Sequence, residues 1–355
     1  MASEKKGNSF FIIALLFLLF GLLLIGDVSL IEAERNFGDQ FYFLKKQITW
    51  ALLGAVVFAL AAKINYRFWQ KISLPLLIVS WFALGLVLIP RFGQVIGGSR
   101  RWLNLGGYVF QPSELAKFSL VLYLSALLSR KKINFRQFLL VLFLPVGLTI
   151  LEPDFGTSVI MVAASLVLWF LSGAVLRKII LPSLFFLGLG LLLICISPYR
   201  KARVRGMIDP FYDPLDKSYH SYQLVLTLGS GGAGGIGLGQ SRQKYQYLPH
   251  VTTDSIMAVV GEEFGLIGIS SVIGAFLYLI FSGFKIGINS QDDFARLFTG
   301  GIVTWIAVQG LINLSAVAIV LPLTGVPFPL VSYGGSSLVL TLFSLGIIYN
   351  IWSKQ

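Results

Sequence analysis

Cysteine, histidine and charge are all scarce in this chain. Its 355 residues include one cysteine, Cys195, and two histidines, His220 and His250. A lone thiol excludes a disulfide framework and argues against a metal–thiolate centre, and two scattered histidines make a poor metal site. No Ser–His–Asp order of any specificity occurs either. Charged residues are only 12% of the chain against 56% hydrophobic. That balance excludes a soluble domain of this length and points to a polytopic membrane protein.

Apolar runs of spanning length recur from end to end. Ten are read at roughly 10–30, 47–62, 74–90, 115–129, 138–151, 157–172, 179–196, 256–282, 297–320 and 335–352. The first follows Lys5 and Lys6, continues too far for a signal peptide and has no small-residue cleavage site, so it is expected to be a retained helix. Lys5/Lys6, Lys63/Arg67/Lys71, Arg130/Lys131/Lys132/Arg136, Arg177/Lys178, Lys285/Arg296 and Lys354 fall in alternate gaps. The positive-inside rule puts these gaps and both termini in the cytoplasm. The expected architecture is all-α: one integral membrane domain over residues 1–355, about ten transmembrane helices, and a large extracytoplasmic loop, about 198–254, between helices seven and eight.

The net charge is +12, and the cytoplasmic gaps do not account for all of it. Arg100, Arg101, Arg200, Arg203, Arg205, Arg242 and Lys244 are among the basic residues of the outer gaps. They suit either a solvated loop against anionic headgroups or a site for an anionic group presented at the outer face. A nucleic acid is not expected there. Within the long loop, 219–228 reads as a short amphipathic helix lying on the membrane. Gly232-Ala-Gly-Gly-Ile-Gly237 fits G-x-G-x-x-G but lacks the strand and helix that a dinucleotide site needs. It reads as a flexible turn or as amides cradling a phosphate. The outer gaps 91–114 and 321–335 are rich in Gly and Pro, and irregular backbone at membrane depth is tolerated only around a cavity or a protein interior.

Four acidic segments carry the chemistry. In Gln111-Pro-Ser-Glu114-Leu-Ala-Lys117, Pro112 suits a first helical turn and Glu114 a cap, yet Glu114 and Lys117 share a helix face and suit a polar pocket equally. In Glu152-Pro-Asp154-Phe-Gly156, Asp154 either caps the next helix or binds a cation or orients a base. In Leu248-Pro-His-Val-Thr-Thr-Asp254, the acid stands where an apolar run begins, as an N-cap or as a carboxylate with a chemical task. Glu262 and Glu263 follow inside that run.

Taken together, Ser99-Arg-Arg-Trp-Leu-Asn-Leu-Gly106, Phe110-Gln-Pro-Ser-Glu-Leu-Ala-Lys117, Glu152-Pro-Asp-Phe-Gly-Thr157, Gly237-Leu-Gly-Gln-Ser-Arg-Gln-Lys244, Tyr247-Leu-Pro249, Gly261-Glu-Glu263 and Ser332-Tyr-Gly-Gly-Ser-Ser337 resemble the SEDS family (shape, elongation, division and sporulation). These are bacterial peptidoglycan polymerases that include FtsW, RodA and SpoVE. Ser241-Arg-Gln-Lys244 and Pro322-Leu-Thr-Gly-Val-Pro327 look closer to the FtsW and SpoVE branch. The family commonly has an acidic residue before the key Asp and an aromatic after it; here His250 and Ser255 stand at those positions, and Thr252 replaces a frequent His.

The resemblance implies a glycosyltransferase of the bacterial cytoplasmic membrane acting on lipid II, the undecaprenyl-pyrophosphate-linked disaccharide-pentapeptide. The family's essential acid falls on Asp254, here expected to be the general base. Its polar cavity residues fall on Arg101, Glu114, Lys117 and Asp154. Arg203, Arg205, Ser241 and Lys244 of the long loop are further expected substrate contacts. A divalent cation, Mg²⁺ or Mn²⁺, is expected near Asp254, Glu114 or Asp154. The implied partners are a class B penicillin-binding protein and other divisome or elongasome proteins. The alternatives are a flippase for a lipid-linked precursor, which suits broken helices and intramembrane acids, and a noncatalytic divisome scaffold.

Overall fold

The computed structural model describes residues 2–96, 98–106, 108–130, 134–175, 177–245 and 247–355. Lys131, Lys132, Gly97 and Gly107, and the side chains of Lys5, Lys6 and Arg177, lie outside the described residues. In chain order the elements are α1 (Ala2–Val28), α2 (Leu30–Phe37), α3 (Tyr42–Lys63), α4 (Tyr66–Leu88), β1 (Gly93–Ile96), β2 (Ser99–Leu105), β3 (Tyr108–Phe110), α5 (Pro112–Leu128), α6 (Phe135–Leu151) and α7 (Phe155–Leu171). They continue with α8 (Arg177–Ile196), α9 (Pro198–Ile208), α10 (Tyr219–Gly231), α11 (Ile256–Asn289), α12 (Asp293–Val317) and α13 (Gly335–Trp352).

Every apolar run of the sequence coincides with a helix. By length and composition, seven described helices suffice to cross a membrane: α1, α3, α4, α8, α11, α12 and α13. α6 and α7 are apolar but have 17 residues each, and α5, also 17 residues, carries Glu114 and Lys117. Such lengths sit at the lower limit for a span. The chain is a helical, multi-pass membrane protein.

Small and polar residues set the packing, as expected where lipid supplies no hydrophobic drive between helices. A Cβ on Gly346 of α13 would stand 2.5 Å from the Phe58 carbonyl oxygen of α3, so the two backbones touch there. Asn350 secures the same contact by accepting from the Tyr66 amide at 3.0 Å and donating to the Ala62 carbonyl at 2.7 Å. α12 runs through the interior, with Trp305 and Phe298 buried. α8, by contrast, is exposed along most of its length.

Three features depart from the sequence reading. The outer gap 91–114 is not irregular but folds into an antiparallel sheet in the order β1–β2–β3, with Gln94 paired to Trp102 and Leu103 to Phe110. Gly98 and Gly106, both at positive φ, make its turns, and Val, Ile, Trp and Tyr favour its strands. The long loop contains α9, started by Ser197, whose side chain accepts from the Arg200 amide, with Pro198 in the first turn. α10 is present, but it buries Ser221, Gln223, Leu224 and Thr227 and packs on α11, so its polar face turns inward and not to headgroups.

The glycine-rich stretch is the third. α11 is broken at Gly265, with φ 68° and ψ −167°, which frees carbonyls and amides that lipid cannot satisfy. The stretch inserts there: the amides of Ile236 and Gly237 donate to the carbonyls of Glu262 and Glu263 at 3.1 and 3.0 Å, and those of Leu266 and Ile267 donate to Gly232 and Ala233 at 3.0 and 3.1 Å. It is no flexible turn: the amides of Gly235, Ile236 and Gly237 are occupied by backbone. A Cβ on Gly235 would lie 2.1 Å from the Glu263 carbonyl oxygen, and one on Gly265 2.3 Å from the Gly235 nitrogen. Gly265→Ala is therefore expected to cost about 3 kcal/mol through left-handed strain and the clash. It should appear as a clear fall in the thermal midpoint of the detergent-solubilised protein; an unchanged midpoint would contradict the splint.

Candidate functional site

One large cavity, about 760 Å³, opens among α5, α7, α8, α9 and the segment 321–337, and is bounded by the strand residue Arg101 and the turn carrying Asp254. Its lining combines the charged residues Arg101, Glu114, Lys117, Asp154, Arg203 and Asp254 with aliphatic and aromatic residues such as Val162, Phe186 and Leu187.

Two of the cavity's charges form a buried pair on α5. Lys117 Nζ lies 2.9 Å from Glu114 Oε1, with the side chains 2% and 4% exposed. Three residues of helix bring them together, and burial makes the pairing obligatory, since either charge alone would be strongly unfavourable. Lys117 also donates to Gln309 Oε1 at 3.0 Å and stands 4.9 Å from the Trp305 ring. Gln309 donates in turn to the Pro327 carbonyl. Glu114 is thus a pocket residue; Gln111 holds the cap position.

Asp154 is the cap that its position in the sequence allowed, and it also meets Arg101. Oδ1 caps α7 by accepting from the Thr157 amide at 3.2 Å, and Oδ2 accepts from Gln111 at 3.2 Å and Ser113 at 3.4 Å. Arg101 Nη1 is 3.8 Å from Oδ1, and Arg101 donates to the carbonyls of Glu152 and Pro153. The sheet therefore delivers a guanidinium onto the Glu152–Asp154 turn.

Asp254 is not the cap of α11; Ser255 occupies that position. The Asp254 carboxylate accepts from Thr253 Oγ1 at 2.9 Å and faces the cavity. Its backbone carbonyl accepts from Asn313 of α12 at 2.8 Å, and Asn313 also donates to the Val326 carbonyl. The Tyr333 amide donates to the Thr252 carbonyl. Asp254 is thereby fastened to α12 and to the segment 321–335.

Arg203 reaches the cavity and donates to the Leu323 carbonyl. Arg205 does not line it; its guanidinium sits 4.4 Å from the Tyr212 ring. Ser241 and Lys244 are also elsewhere. They form a second buried polar cluster, in which Lys244 Nζ pairs with Asp27 at 2.7 Å and Glu263 at 3.4 Å, and Ser241 Oγ donates to Glu262. That cluster anchors the glycine splint to α1 and α11. Arg200, one helical turn before Arg203, lines the cavity and was read from the sequence only as one of the outer basic residues, while Tyr333, which also lines it, and His220, near it, were not singled out as site residues. The i,i+3 spacing of the two arginines was the available signal for Arg200.

A divalent ion was expected near Asp254, Glu114 or Asp154. Among the described residues, no three His, Cys, Asp or Glu side chains converge to hold a metal, and Glu114 and Asp154 are engaged by Lys117 and by α7. The three acids make no protein cage.

Glu152 is wholly buried, and neither carboxylate oxygen has a hydrogen-bond partner. Burial first, then Asp154, push its pKa up to about 9, with Arg101 opposing. A carboxyl whose folded value lies above the unfolded 4.5 stabilises the fold in its neutral form. Its contribution is complete below about pH 4.5 and is lost as pH rises through about 9. Glu152→Gln, which keeps the neutral shape, is expected to match wild type in thermal midpoint near pH 5 and to exceed it near pH 9. Parallel pH–stability curves would refute this.

Comparison with known proteins agrees with the geometry. The family model described as "Cell cycle protein" for FtsW, RodA and SpoVE matches residues 8–355. A probable peptidoglycan glycosyltransferase FtsW from Geobacter sulfurreducens is 36% identical over 342 residues, covering 94% of this chain and 92% of the relative. Stage V sporulation protein E of Bacillus subtilis is 35% identical over 347 residues, covering 96% and 95%. Among solved structures, a chain from a study of the structural coordination of polymerization and crosslinking by a peptidoglycan synthase complex superposes with a TM-score of 0.76 at 29% identity, covering 96% and 97%. Thermus thermophilus rod shape determining protein RodA superposes with a TM-score of 0.72 at 26% identity, covering 97% and 96%. Matched along nearly its whole length, the chain belongs to the FtsW/RodA/SpoVE family.

Proposed function

We propose that this protein is a peptidoglycan glycosyltransferase that polymerises lipid II at the outer face of the bacterial cytoplasmic membrane, with about ten spans and both termini in the cytoplasm. The observation that carries the reading is a single cavity that joins a carboxylate and several cations to an apolar wall. An amphiphile with a sugar, a pyrophosphate and a long lipid tail has those three parts.

In this reading Asp254 accepts the proton from the 4-hydroxyl of the acceptor sugar. The oxygen attacks the anomeric carbon of the donor as the bond to pyrophosphate breaks, and the pyrophosphate leaves with the electron pair. Attack opposite the leaving group inverts the anomeric centre. Arg101, Lys117 and Arg203, with Arg200, stabilise the negative charge that develops, since preorganised cations act most strongly in a water-poor site. The walls of α7 and α8 hold the lipid. A Mg²⁺ or Mn²⁺ ion would be held by Asp254 with substrate phosphates, because Mg²⁺ is commonly bound through one or two carboxylates and phosphate oxygens. A class B transpeptidase, with other division or elongation proteins, is the proposed partner, since the glycan product needs crosslinking.

Asp254→Ala is expected to fold and insert normally yet lose polymerisation of purified lipid II by about 10²–10⁴-fold, the usual contribution of a positioned base. Retained polymer from a folded Asp254→Ala protein would sink the assignment. Chelation by EDTA should lower the wild-type rate and added Mg²⁺ or Mn²⁺ should restore it; a rate indifferent to chelator would remove the metal from the scheme.

A further inference from the structure

The turn that presents Asp254 is held from a second element by one imidazole. His220 lies on α10, and its Nε2 is 2.8 Å from Ser255 Oγ. The Ser255 hydroxyl also lies 2.9 Å from the Pro249 carbonyl oxygen. A carbonyl only accepts, and a hydroxyl has a single proton. Ser255 therefore donates to Pro249 and must accept from His220, which fixes the imidazole as an Nε2–H donor.

The contact sits where it controls the turn. The amides of Thr253 and Ser255 both donate to the His250 carbonyl, at 3.1 and 3.2 Å, so residues 250–255 close on themselves. Ser255 is 1% exposed, and its side chain ties the end of that turn back to Pro249. His220 is the contact that reaches it from α10, which itself packs on α11. Burial is the chief cause that lowers the His220 pKa, to about 4, with Asp254 opposing and His250 and Arg203 adding to the fall. The ring is neutral at neutral pH, so it secures the turn without placing a fixed positive charge beside Asp254.

We propose that His220 is a positioning residue that, through Ser255, holds the Asp254 turn in its reactive geometry. The inference rests on the reading of Asp254 as the base.

The test is steady-state polymerisation of lipid II by the full-length protein under the conditions that support wild-type activity. The panel is Ser255→Ala, His220→Ala, His220→Gln, the double His220→Ala/Ser255→Ala variant and Asp254→Ala, each checked by thermal midpoint. Ser255→Ala and His220→Ala should each lower kcat about tenfold, the scale of one lost hydrogen bond, with KM within about twofold. The double variant should be no worse than either single one. His220→Gln, which offers a neutral N–H of similar reach, should recover most of the rate. Wild-type kcat in both single variants beside an inactive Asp254→Ala would overturn the positioning role and leave the base intact. Multiplying losses in the double variant, or a Gln variant no better than Ala, would also overturn it. Polymer from Asp254→Ala would remove the base and this inference together. Should His220→Ala misfold, Ser255→Ala and His220→Gln carry the same test.

Discussion

A charge inside a membrane protein must be neutralised where it stands, and the Lys117–Glu114 pair is where this structure meets that constraint. With both side chains almost fully buried at 2.9 Å, the pair fixes what can surround it. Lys117 recruits Gln309, which accepts also from Trp305 and donates to Pro327. That contact holds a buried irregular segment, and Asn313 and Gln47 hold it further by donating to the carbonyls of Val326 and Ser332. Non-helical backbone survives there because its polar groups are met by side chains. Asp254 is fastened to the same segment through Asn313. The ion pair, the broken backbone and the proposed base are thus one connected polar network.

The network accounts for the division of labour between two acidic clusters. Glu262 and Glu263 stand close to Asp254 in sequence, yet they face Ser241, Lys244 and Asp27 and serve the break in α11. Asp154 and Asp254 face the cavity with the cations. One cluster holds the shape of the molecule and the other faces the space where substrate would lie. Their separation keeps the structural lysine from competing for the substrate's phosphates.

Much of this was legible in the chain. Each of the ten apolar runs coincides with one of the thirteen described helices, because a lipid-facing segment must be long and largely uncharged. The pairing of Glu114 with Lys117 followed from their spacing on a helix. What was not legible depended on long-range contact. Whether Lys244 met substrate or Asp27 depends on a contact across a separation of 217 residues in the chain. The glycine stretch looked flexible because its partners, the freed carbonyls at Gly265, exist only once α11 breaks. The sheet of residues 93–110 was hidden by its glycines, which signalled turns more strongly than its short strands signalled pairing. His220 and His250 looked scattered, thirty residues apart in the chain, though their rings lie 6.1 Å from each other.

The central claim is that Asp254 removes the acceptor proton inside this cavity. The most direct measurement is a cryo-EM structure of the Asp254→Asn protein with lipid II bound at both donor and acceptor positions. The account expects the acceptor 4-hydroxyl within about 3 Å of the residue 254 side chain, hydrogen-bonding reach for a base, with the donor pyrophosphate against Arg101, Lys117 or the α9 arginines. A 4-hydroxyl beyond that reach and facing another side chain, or a pyrophosphate lodged at the cytoplasmic side, would contradict it.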